Sequence, residues 1–270
     1  SLICLTNIGF NVVNLEKFLM CYKVICFFLF KQILYICVEI KSLIIMKKLV
    51  VLTGAGMSVE SGLSTFRGGN GMWDNYPVMD VASATGFRRN PALVHEFYNI
   101  RRHELINVKP NAGHYGLVDL ESKYDVKIIT QNVDNLHEQA GSKSVLHLHG
   151  ELMKVRAVDN ENLVYTLTKD NLDTTPETII DGHHVRPHIV FFEESVPMFE
   201  PAIEIVQDAD IVVVIGTSLQ VYPAASLINY ARKATAIYYI DPAPAHVPDF
   251  VTVIPKGATE GVKELKKLLM

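Results

Sequence analysis

Short apolar runs recur along the chain from about residue 46 onwards, and small or polar residues follow each of them. Four such runs hold four or five residues each, mostly with β-branched members, as is typical of buried parallel strands. The runs are Leu49–Leu52, Val126–Ile129, Ile211–Ile215 and Ala236–Ile240. The pattern therefore predicts the strands of a parallel sheet.

Apolar residues at helical spacing separate these runs. The predicted helices are Pro91–Val108, Asn111–Tyr124, Glu200–Gln207, Pro223–Lys233 and Thr259–Leu269. Strands that alternate with helices predict an α/β fold, a Rossmann-like parallel sheet with helices on both faces. Residues 151–195 break the alternation with short strands and turns, so a smaller inserted module is expected there.

Residues 1–45 differ from the rest of the chain. They hold all four cysteines and no proline, and four Lys against two Glu give them a net charge of +2. Charges interrupt their apolar stretch, unlike in a membrane span, and no signal-peptide cleavage site precedes Met46. We interpret the segment as translated upstream sequence. A membrane anchor and a family-specific extension are the alternatives, and membrane association is expected only if the segment is expressed and genuine.

The other 225 of the 270 residues contain no cysteine, and the total charge of −4 leaves them with −6. This composition excludes a disulfide, a Cys-ligated zinc and a cysteine nucleophile from that part. Without a basic excess, nucleic-acid binding is not expected. A 49% hydrophobic content indicates a folded chain of one large domain or two small ones.

Polar and glycine-rich segments follow the predicted strands, where α/β sheets bind ligands. The segment Thr53–Gly62 resembles a phosphate-binding turn, but Val59 replaces the third glycine of the dinucleotide fingerprint. Gly216–Val221 permits a similarly close backbone approach to a ligand. A plain strand–helix turn is the alternative for both segments.

Thr130–Asn135 is a third candidate segment. Its Asn amides can hold a carboxamide through paired donor and acceptor contacts. The alternative is an ordinary helix start with Asn132 or Asp134 as the N-cap.

Two histidine groups are candidates for acid–base or metal chemistry. His147 and His149 share a face if they lie on one strand, and histidine is the natural general base near neutral pH. Ordinary buried or surface histidines are the alternative. Asp181, His183 and His184 are fallback metal ligands, although their spacing matches no standard site.

Five segments together resemble the sirtuin family of NAD-dependent protein-lysine deacylases. They are GAGMSVESGLSTFRGGNGMW (54–73), TQNVDNLHEQAG (130–141), LHGEL (148–152), RPHIVFF (186–192) and GTSLQVYPAA (216–225). The resemblance spans residues 54 to about 261 and does not include residues 1–45. It implies a catalytic domain over 46–270. The Rossmann-like part would cover about 46–75, 108–150 and 196–270, and the small module about 76–107 and 151–195.

The resemblance also implies roles for individual residues. His149 would be the general base acting on the NAD ribose hydroxyls, and Asn132 and Asp134 would line the nicotinamide pocket. Further implied NAD contacts are Gly54, Ala55, Gly56, Ser58, Phe66, Arg67, Gln131, Gly216, Thr217, Ser218, Asp241 and Ala258. Val190, Phe191 and Phe192 would bind the substrate.

This sequence departs from the family at two points. The zinc ribbon, which most sirtuins build with four cysteines in the region of 151–190, has no cysteine here, so no structural zinc is expected. Glu193 stands where the family usually has glycine after the substrate-pairing strand. It is expected to reshape the substrate groove or to make it more negative.

Tyr98 and Arg101 lie three residues apart on a predicted helix and therefore share a face. They resemble the Tyr-x-x-Arg pair of class III sirtuins, which recognises acidic acyl groups, and Gly68 and Gly69 would leave that pocket roomy. A core tyrosine beside a surface arginine is the alternative.

The resemblance thus implies an enzyme that removes succinyl, malonyl and acetyl groups from protein lysines. NAD would be consumed, and nicotinamide, O-acyl-ADP-ribose and free lysine would be released. The expected partners are acylated proteins, and the expected location is the cytoplasm. The alternatives are a mono-ADP-ribosyltransferase and a non-catalytic module that binds NAD or ADP-ribose.

Overall fold

The chain divides into two units, Ser1–Met46 and Lys47–Met270. The computed structural model describes residues 46–63, 76–218 and 222–270, and also 20, 22, 23, 27 and 30–32, which are helical and exposed. Most of residues 1–45, which we interpret as translated upstream sequence, thus lie outside the described residues. Within the described residues, no helix combines the length and apolar character that crossing a membrane requires.

The second unit is built on a six-stranded parallel sheet in the order β10-β9-β8-β1-β2-β3. The strands are β1 (Lys48–Thr53), β2 (Asp125–Thr130), β3 (Val145–His147), β8 (Ile211–Ile215), β9 (Ala236–Ile240) and β10 (Val251–Ile254). The predicted parallel sheet is confirmed. Strands β3 and β10 escaped prediction because they are short edge strands, and half of β10 is exposed.

Helices cover both faces of this sheet, as predicted. The first face packs against α4 (Ala112–Leu120) and α7 (Ala258–Leu269). The second face packs against α6 (Phe199–Gln207) and a 3₁₀ segment, Ala224–Tyr230. The helix predicted over Pro223–Lys233 is present, but it is shorter and of the 3₁₀ type. A repeat of three residues per turn places Ala224 and Leu227 on one buried face.

A second, antiparallel sheet has the strand order β5-β4-β7-β6. Its strands are β4 (Gly150–Ala157), β5 (Val164–Thr166), β6 (Ile179–Ile180) and β7 (His183–Ile189). Three helices adjoin it, namely α1 (Val78–Val81), α2 (Ala84–Arg89) and α3 (Pro91–Leu105). A shared apolar core joins these helices to β4 and β7, with Phe97 and Tyr98 packed against Leu152 and Ile189.

Arg102 of α3 is fully buried and ties this helix to its neighbours. Its Nε donates to the Leu152 carbonyl at 2.9 Å, and its Nη1 donates to the Leu172 carbonyl at 3.1 Å and to Asn99 Oδ1 at 2.7 Å. Burial lowers the pKa of Arg102 to about 10, so the group is still charged at neutral pH. A buried cation thus takes the place of apolar packing between α3, β4 and the segment around Leu172.

Replacing Arg102 with Met should destabilise the protein by about 3 kcal/mol or more, because buried carbonyls lose a charged donor. Urea unfolding measures this loss. Arg89→Met is the matched control, because Arg89 is 62% exposed and pairs with Asp80 at the surface. It should cost less than about 1 kcal/mol. Equal losses in the two variants would contradict the role given to Arg102.

Candidate active site

A cavity of about 780 Å³ opens at the carboxyl edge of the parallel sheet. Its wall is formed by the residues that follow β1, β2, β8 and β9, by α3 and by the segment after β7. Fifteen predicted site residues line it: Gly54, Ala55, Gly56, Tyr98, Arg101, Gln131, Asn132, His149, Val190, Phe191, Phe192, Gly216, Thr217, Ser218 and Asp241. Residues from all five segments that resemble the sirtuin family therefore meet in one place.

Three of the predicted site residues that the structure describes are not in this wall. Ser58 and Asp134 lie directly behind it, bonded to each other and, through Ser58, to Asn132. Ala258 is 3% exposed and its side chain packs into the core at the start of α7. Its neighbour Gly257 lines the cavity instead. Residues 66 and 67, like Gly68 and Gly69, lie outside the described residues.

The loops after β1 and β8 touch through their backbones. Gly54 N donates to the Ile215 carbonyl at 3.0 Å, and Gly56 N donates to the Gly216 carbonyl at 2.9 Å. A methyl group on Gly54 or Gly56 would lie 2.7 or 2.6 Å from atoms of Gly216. Gly216 itself has φ +61°. The turn interpretation holds, because this contact needs glycines, and the same glycines line the cavity.

Asn132 and Asp134 are held by Ser58. Asn132 Nδ2 donates to Ser58 Oγ at 3.2 Å, and Ser58 Oγ donates to Asp134 Oδ2 at 3.0 Å. Burial raises the pKa of Asp134, against hydrogen bonds from the Leu136 N–H and the Ser58 hydroxyl, which lower it. Neither Asn132 nor Asp134 is the N-cap, because α5 (Leu136–Ala140) begins after Asn135.

His149 is oriented by a single backbone acceptor. Its Nδ1 lies 3.1 Å from the Gln131 carbonyl oxygen. Because a carbonyl only accepts, Nδ1 carries the proton and the neutral ring keeps Nε2 as a base. Burial lowers the pKa of His149, with the Gln131 carbonyl opposing it. At neutral pH the wall of the cavity therefore holds an uncharged imidazole.

His147 and His149 do not lie on one strand, so the shared face that depended on this condition does not form. Strand β3 ends at His147, and the chain turns before β4 begins at Gly150, where φ is +83°. The His147 ring contacts Glu138 and the carbonyl of Asn132 instead, outside the cavity lining.

The fallback metal ligands also separate. His183 Nδ1 lies 2.9 Å from Asp159 Oδ1, and His184 Nδ1 lies 3.0 Å from the Pro176 carbonyl. Across the described part of the chain, no group of three or more His, Cys, Asp and Glu side chains is placed to hold a metal ion.

Tyr98 and Arg101 both line the cavity, on the same face of α3. Burial raises the pKa of Tyr98, whose ring centroid lies 6.0 Å from that of Phe191. The Arg101 side chain is 11% exposed, so it is not the surface arginine of the alternative interpretation. Its Nη1 donates to Glu104 Oε2 at 2.7 Å. A guanidinium and a phenol thus belong to one wall of the site.

Glu193 has φ +76°, a left-handed conformation that favours glycine. Its Oε2 accepts a hydrogen bond from Thr85 N, at the start of α2, at 2.9 Å. This bond lowers the pKa of Glu193, which itself lines the cavity. The carboxylate therefore links the end of the cavity segment to α2.

An ion pair beneath the same segment was not predicted from the sequence. Arg186 Nη1 donates to Glu194 Oε1 at 2.6 Å, and Glu194 Oε2 accepts from Phe191 N at 2.8 Å. The Arg186 guanidinium also lies 3.9 Å from the centroid of the Phe191 ring. The signal was an arginine that opens the segment RPHIVFF and an acid that follows it, but periodicity does not pair the two.

Comparisons with known proteins agree with this geometry. The profile of the Sir2 family matches residues 54–223. An NAD-dependent protein deacylase of Bacteroides thetaiotaomicron is 52% identical over 231 residues, which cover 83% of this chain and 99% of that protein. A Sir2 homologue solved as an NAD complex superposes with a TM-score of 0.73 at 35% identity, covering 83% of this chain and 91% of the other.

A Sir2 structure with a deacetylated peptide and 3′-O-acetyl ADP-ribose superposes with a TM-score of 0.70 at 31% identity, covering 83% of this chain and 94% of the other. The family match covers more than half of the chain, and the Bacteroides relative is matched over nearly its whole length. This chain therefore belongs to the Sir2 family.

Replacing Gly216 with Ala tests the contact between the two loops. Its Cβ would lie 2.5 Å from backbone atoms of Gly56 and Met57. Gly182→Ala is the matched control, because Gly182 also has a positive φ, +87°, but nothing lies within 4 Å. We expect Gly216→Ala to lose about 1–3 kcal/mol more unfolding free energy than Gly182→Ala. Equal losses would show that backbone strain alone accounts for Gly216.

Proposed function

We propose that the chain is an NAD-dependent protein-lysine deacylase that removes succinyl and malonyl groups as well as acetyl groups. One observation carries the proposal. A neutral His149, oriented by Gln131, shares one cavity with two glycine loops and with the Tyr98–Arg101 pair. Membership of the Sir2 family and the deacylase name of a 52% identical relative support it.

The residues present fit NAD. Gly54, Gly56 and Gly216 line the cavity without side chains, so a pyrophosphate can come close to the backbone of these two loops. Asn132 brings an amide that matches a carboxamide, and Asp241 lines the cavity after β9. Bound NAD supplies a ribose carbon from which nicotinamide can depart.

His149 would act as the general base for a ribose hydroxyl. Its Nε2 can take a proton while Nδ1–H stays bonded to the Gln131 carbonyl. The Gln131 carbonyl also stabilises the imidazolium that forms. It raises the pKa of His149, whereas burial of the ring lowers it. Gln131 is in turn fixed by the bond from its Nε2 to Thr217 Oγ1 at 3.1 Å.

Arg101 would bind the distal carboxylate of an acidic acyl group. A guanidinium has five N–H donors, and the bond to Glu104 uses Nη1. A charged hydrogen bond in a largely buried site is stronger than one between neutral groups. The Tyr98 hydroxyl would add a second donor on the same helix face. An acetyl group has no carboxylate and gains nothing from this pair.

The substrate backbone would pair beside Val190, Phe191 and Phe192. The N–H groups of all three are already bonded, to the His149 carbonyl, the Glu194 carboxylate and the Ala82 carbonyl. A substrate strand added here would therefore meet carbonyl oxygens, each of which can accept a second hydrogen bond.

Arg101→Met tests the acyl preference on the full chain with NAD. One peptide is offered as acetyl-lysine and as succinyl-lysine, and the products are measured by mass spectrometry. We expect Arg101→Met to lower kcat/KM for the succinyl peptide about tenfold or more and to leave the acetyl peptide nearly unchanged. Arg88→Met, outside the cavity lining, is the control.

Other outcomes identify the alternatives. Removal of acetyl alone makes the chain a general deacetylase. Transfer of ADP-ribose to a protein side chain that survives His149→Tyr indicates an ADP-ribosyltransferase. Absence of nicotinamide release indicates a binding module.

The acid limb of the pH profile tests His149. A base must be deprotonated, so activity falls as pH drops through the pKa of His149, which burial holds below its usual 6.5. Measuring kcat/KM against pH with the acetyl peptide avoids the ionisation of a succinyl carboxylate. The midpoint of the limb should lie below pH 6.5. A midpoint above that value would contradict the assignment.

A further inference from the structure

His147 lies behind the cavity with both ring nitrogens bonded. Nδ1 lies 3.0 Å from the carbonyl oxygen of Asn132, and Nε2 lies 2.8 Å from Glu138 Oε1 in α5. The His147 side chain is 7% exposed, whereas that of Glu138 is 39% exposed. The ring is therefore a buried bridge between a helix and the loop that carries Asn132.

The two partners determine the charge of His147. A carbonyl oxygen and an ionised carboxylate only accept, whereas a neutral imidazole has a single N–H. When Glu138 is ionised, as its lowered pKa indicates at neutral pH, both bonds can form together only if His147 is an imidazolium. His149, two residues away, has one such acceptor and is neutral.

The charges around His147 favour this state. Burial lowers the pKa of His147, but its polar neighbours outweigh this effect and raise the pKa overall. These neighbours are Glu138, which acts through its hydrogen bond and its charge, the Asn132 carbonyl, and the charge of Glu151 in β4. Burial alone would raise the pKa of Glu138. The hydrogen bond from His147 and the positive charge of His147 outweigh burial, so the pKa of Glu138 is lowered. The pair is therefore intact above the lowered pKa of Glu138 and is lost as pH rises through the raised pKa of His147.

Two more titratable groups lie within electrostatic range of His147. The pKa of His137 lies well below 6.5, because of burial first and then the charges of His114 and His147, so this ring is neutral and adds no repulsion. Asp134 gains from the arrangement, because the positive charge of His147 lowers the pKa of a carboxyl that burial raises.

His147 bonds to Asn132, and Asn132 connects the cavity wall to Ser58 and Asp134 behind it. The N–H of Asn132 donates to Thr130 Oγ1 at 3.0 Å, and its side chain donates to Ser58, which in turn donates to Asp134. The bond from His147 to the carbonyl of Asn132 fixes the remaining polar group of its backbone. Without it, the peptide between Asn132 and Val133 has one orienting contact fewer.

We propose that His147, an imidazolium that bridges Glu138 and the Asn132 carbonyl, is a positioning residue that holds Asn132 and Asp134 in place for the reaction. The kinetic part of this inference rests on the proposed deacylase function. The protonation state does not, and it is measured first.

Nitrogen NMR of the full chain with ¹⁵N-labelled histidine reads the protonation directly. His147→Asn and His149→Asn assign the two signals. At pH 7 we expect His147 to carry protons on both nitrogens and His149 to carry one, on Nδ1. A His147 ring with one bare nitrogen at this pH would overturn the proposal.

Three variants separate the two bonds. The Asn amide of His147→Asn reaches where Nδ1 lies and keeps a donor for the Asn132 carbonyl, whereas that of His147→Gln reaches towards Glu138 and loses it. We expect His147→Gln to lower kcat/KM by about tenfold or more and His147→Asn to lose much less. Glu138→Gln should move the alkaline limb of kcat/KM to lower pH by about one unit, because His147 loses its counter-charge.

His103→Gln is the control for these variants, because His103 makes a similar contact with Asp173 at the surface, at 2.8 Å and 54% exposed. Thermal unfolding shows whether each variant is folded. If the folded His147 and Glu138 variants have the same rates and pH limbs as the parent chain, the positioning role is overturned. If the parent chain itself releases no nicotinamide, the proposed function fails, and the NMR result alone decides the bridge.

Discussion

The site depends on a backbone contact between two loops at the centre of the parallel sheet. Strands β1 and β8 are neighbours, and the residues that follow them approach closely enough for Gly54 and Gly56 to donate to Ile215 and Gly216. No side chain fits between them. This contact turns two strand ends into a continuous polar edge, against which the loop after β2 packs through the bond from Gln131 to Thr217.

The second constraint is the distribution of protonation states along a short piece of chain. His149, whose ring is neutral, and His147, the proposed cation, are two positions apart, and the hydrogen-bond partners of each ring determine its charge. A backbone carbonyl alone gives a neutral tautomer with a free nitrogen. A carbonyl and a carboxylate together give a charged ring. His149 therefore lines the cavity with an unprotonated ring nitrogen, while His147 lies behind the cavity and contacts the backbone of Asn132.

The parts of the fold and site that were predictable share a local signal. Buried strands read as apolar runs, and the ligand-facing loops read as glycine and amide clusters that match a family pattern. Strand β10 was not predictable, because its residues are half exposed and only its pairing with β9 makes it a strand. The pairs Arg186–Glu194 and His147–Glu138 were not predictable either, because tertiary packing alone brings their charges together. The residue type alone indicated that His147 and His149 could each act as a base. Which of the two lines the cavity depends on the bend at Gly150, which has a positive φ.

Strand β8 has consequences for how the protein opens. It pairs with β1 on one side and β9 on the other, and Val212, Val213 and Val214 have no exposed surface. Their amide hydrogens exchange with solvent only when the whole unit unfolds. The ladder stops at Gly216, whose positive φ turns the chain out of the sheet. Gly216 still donates to the Ile240 carbonyl and accepts from Gly56 N, so opening the cavity edge would break hydrogen bonds at the end of this strand.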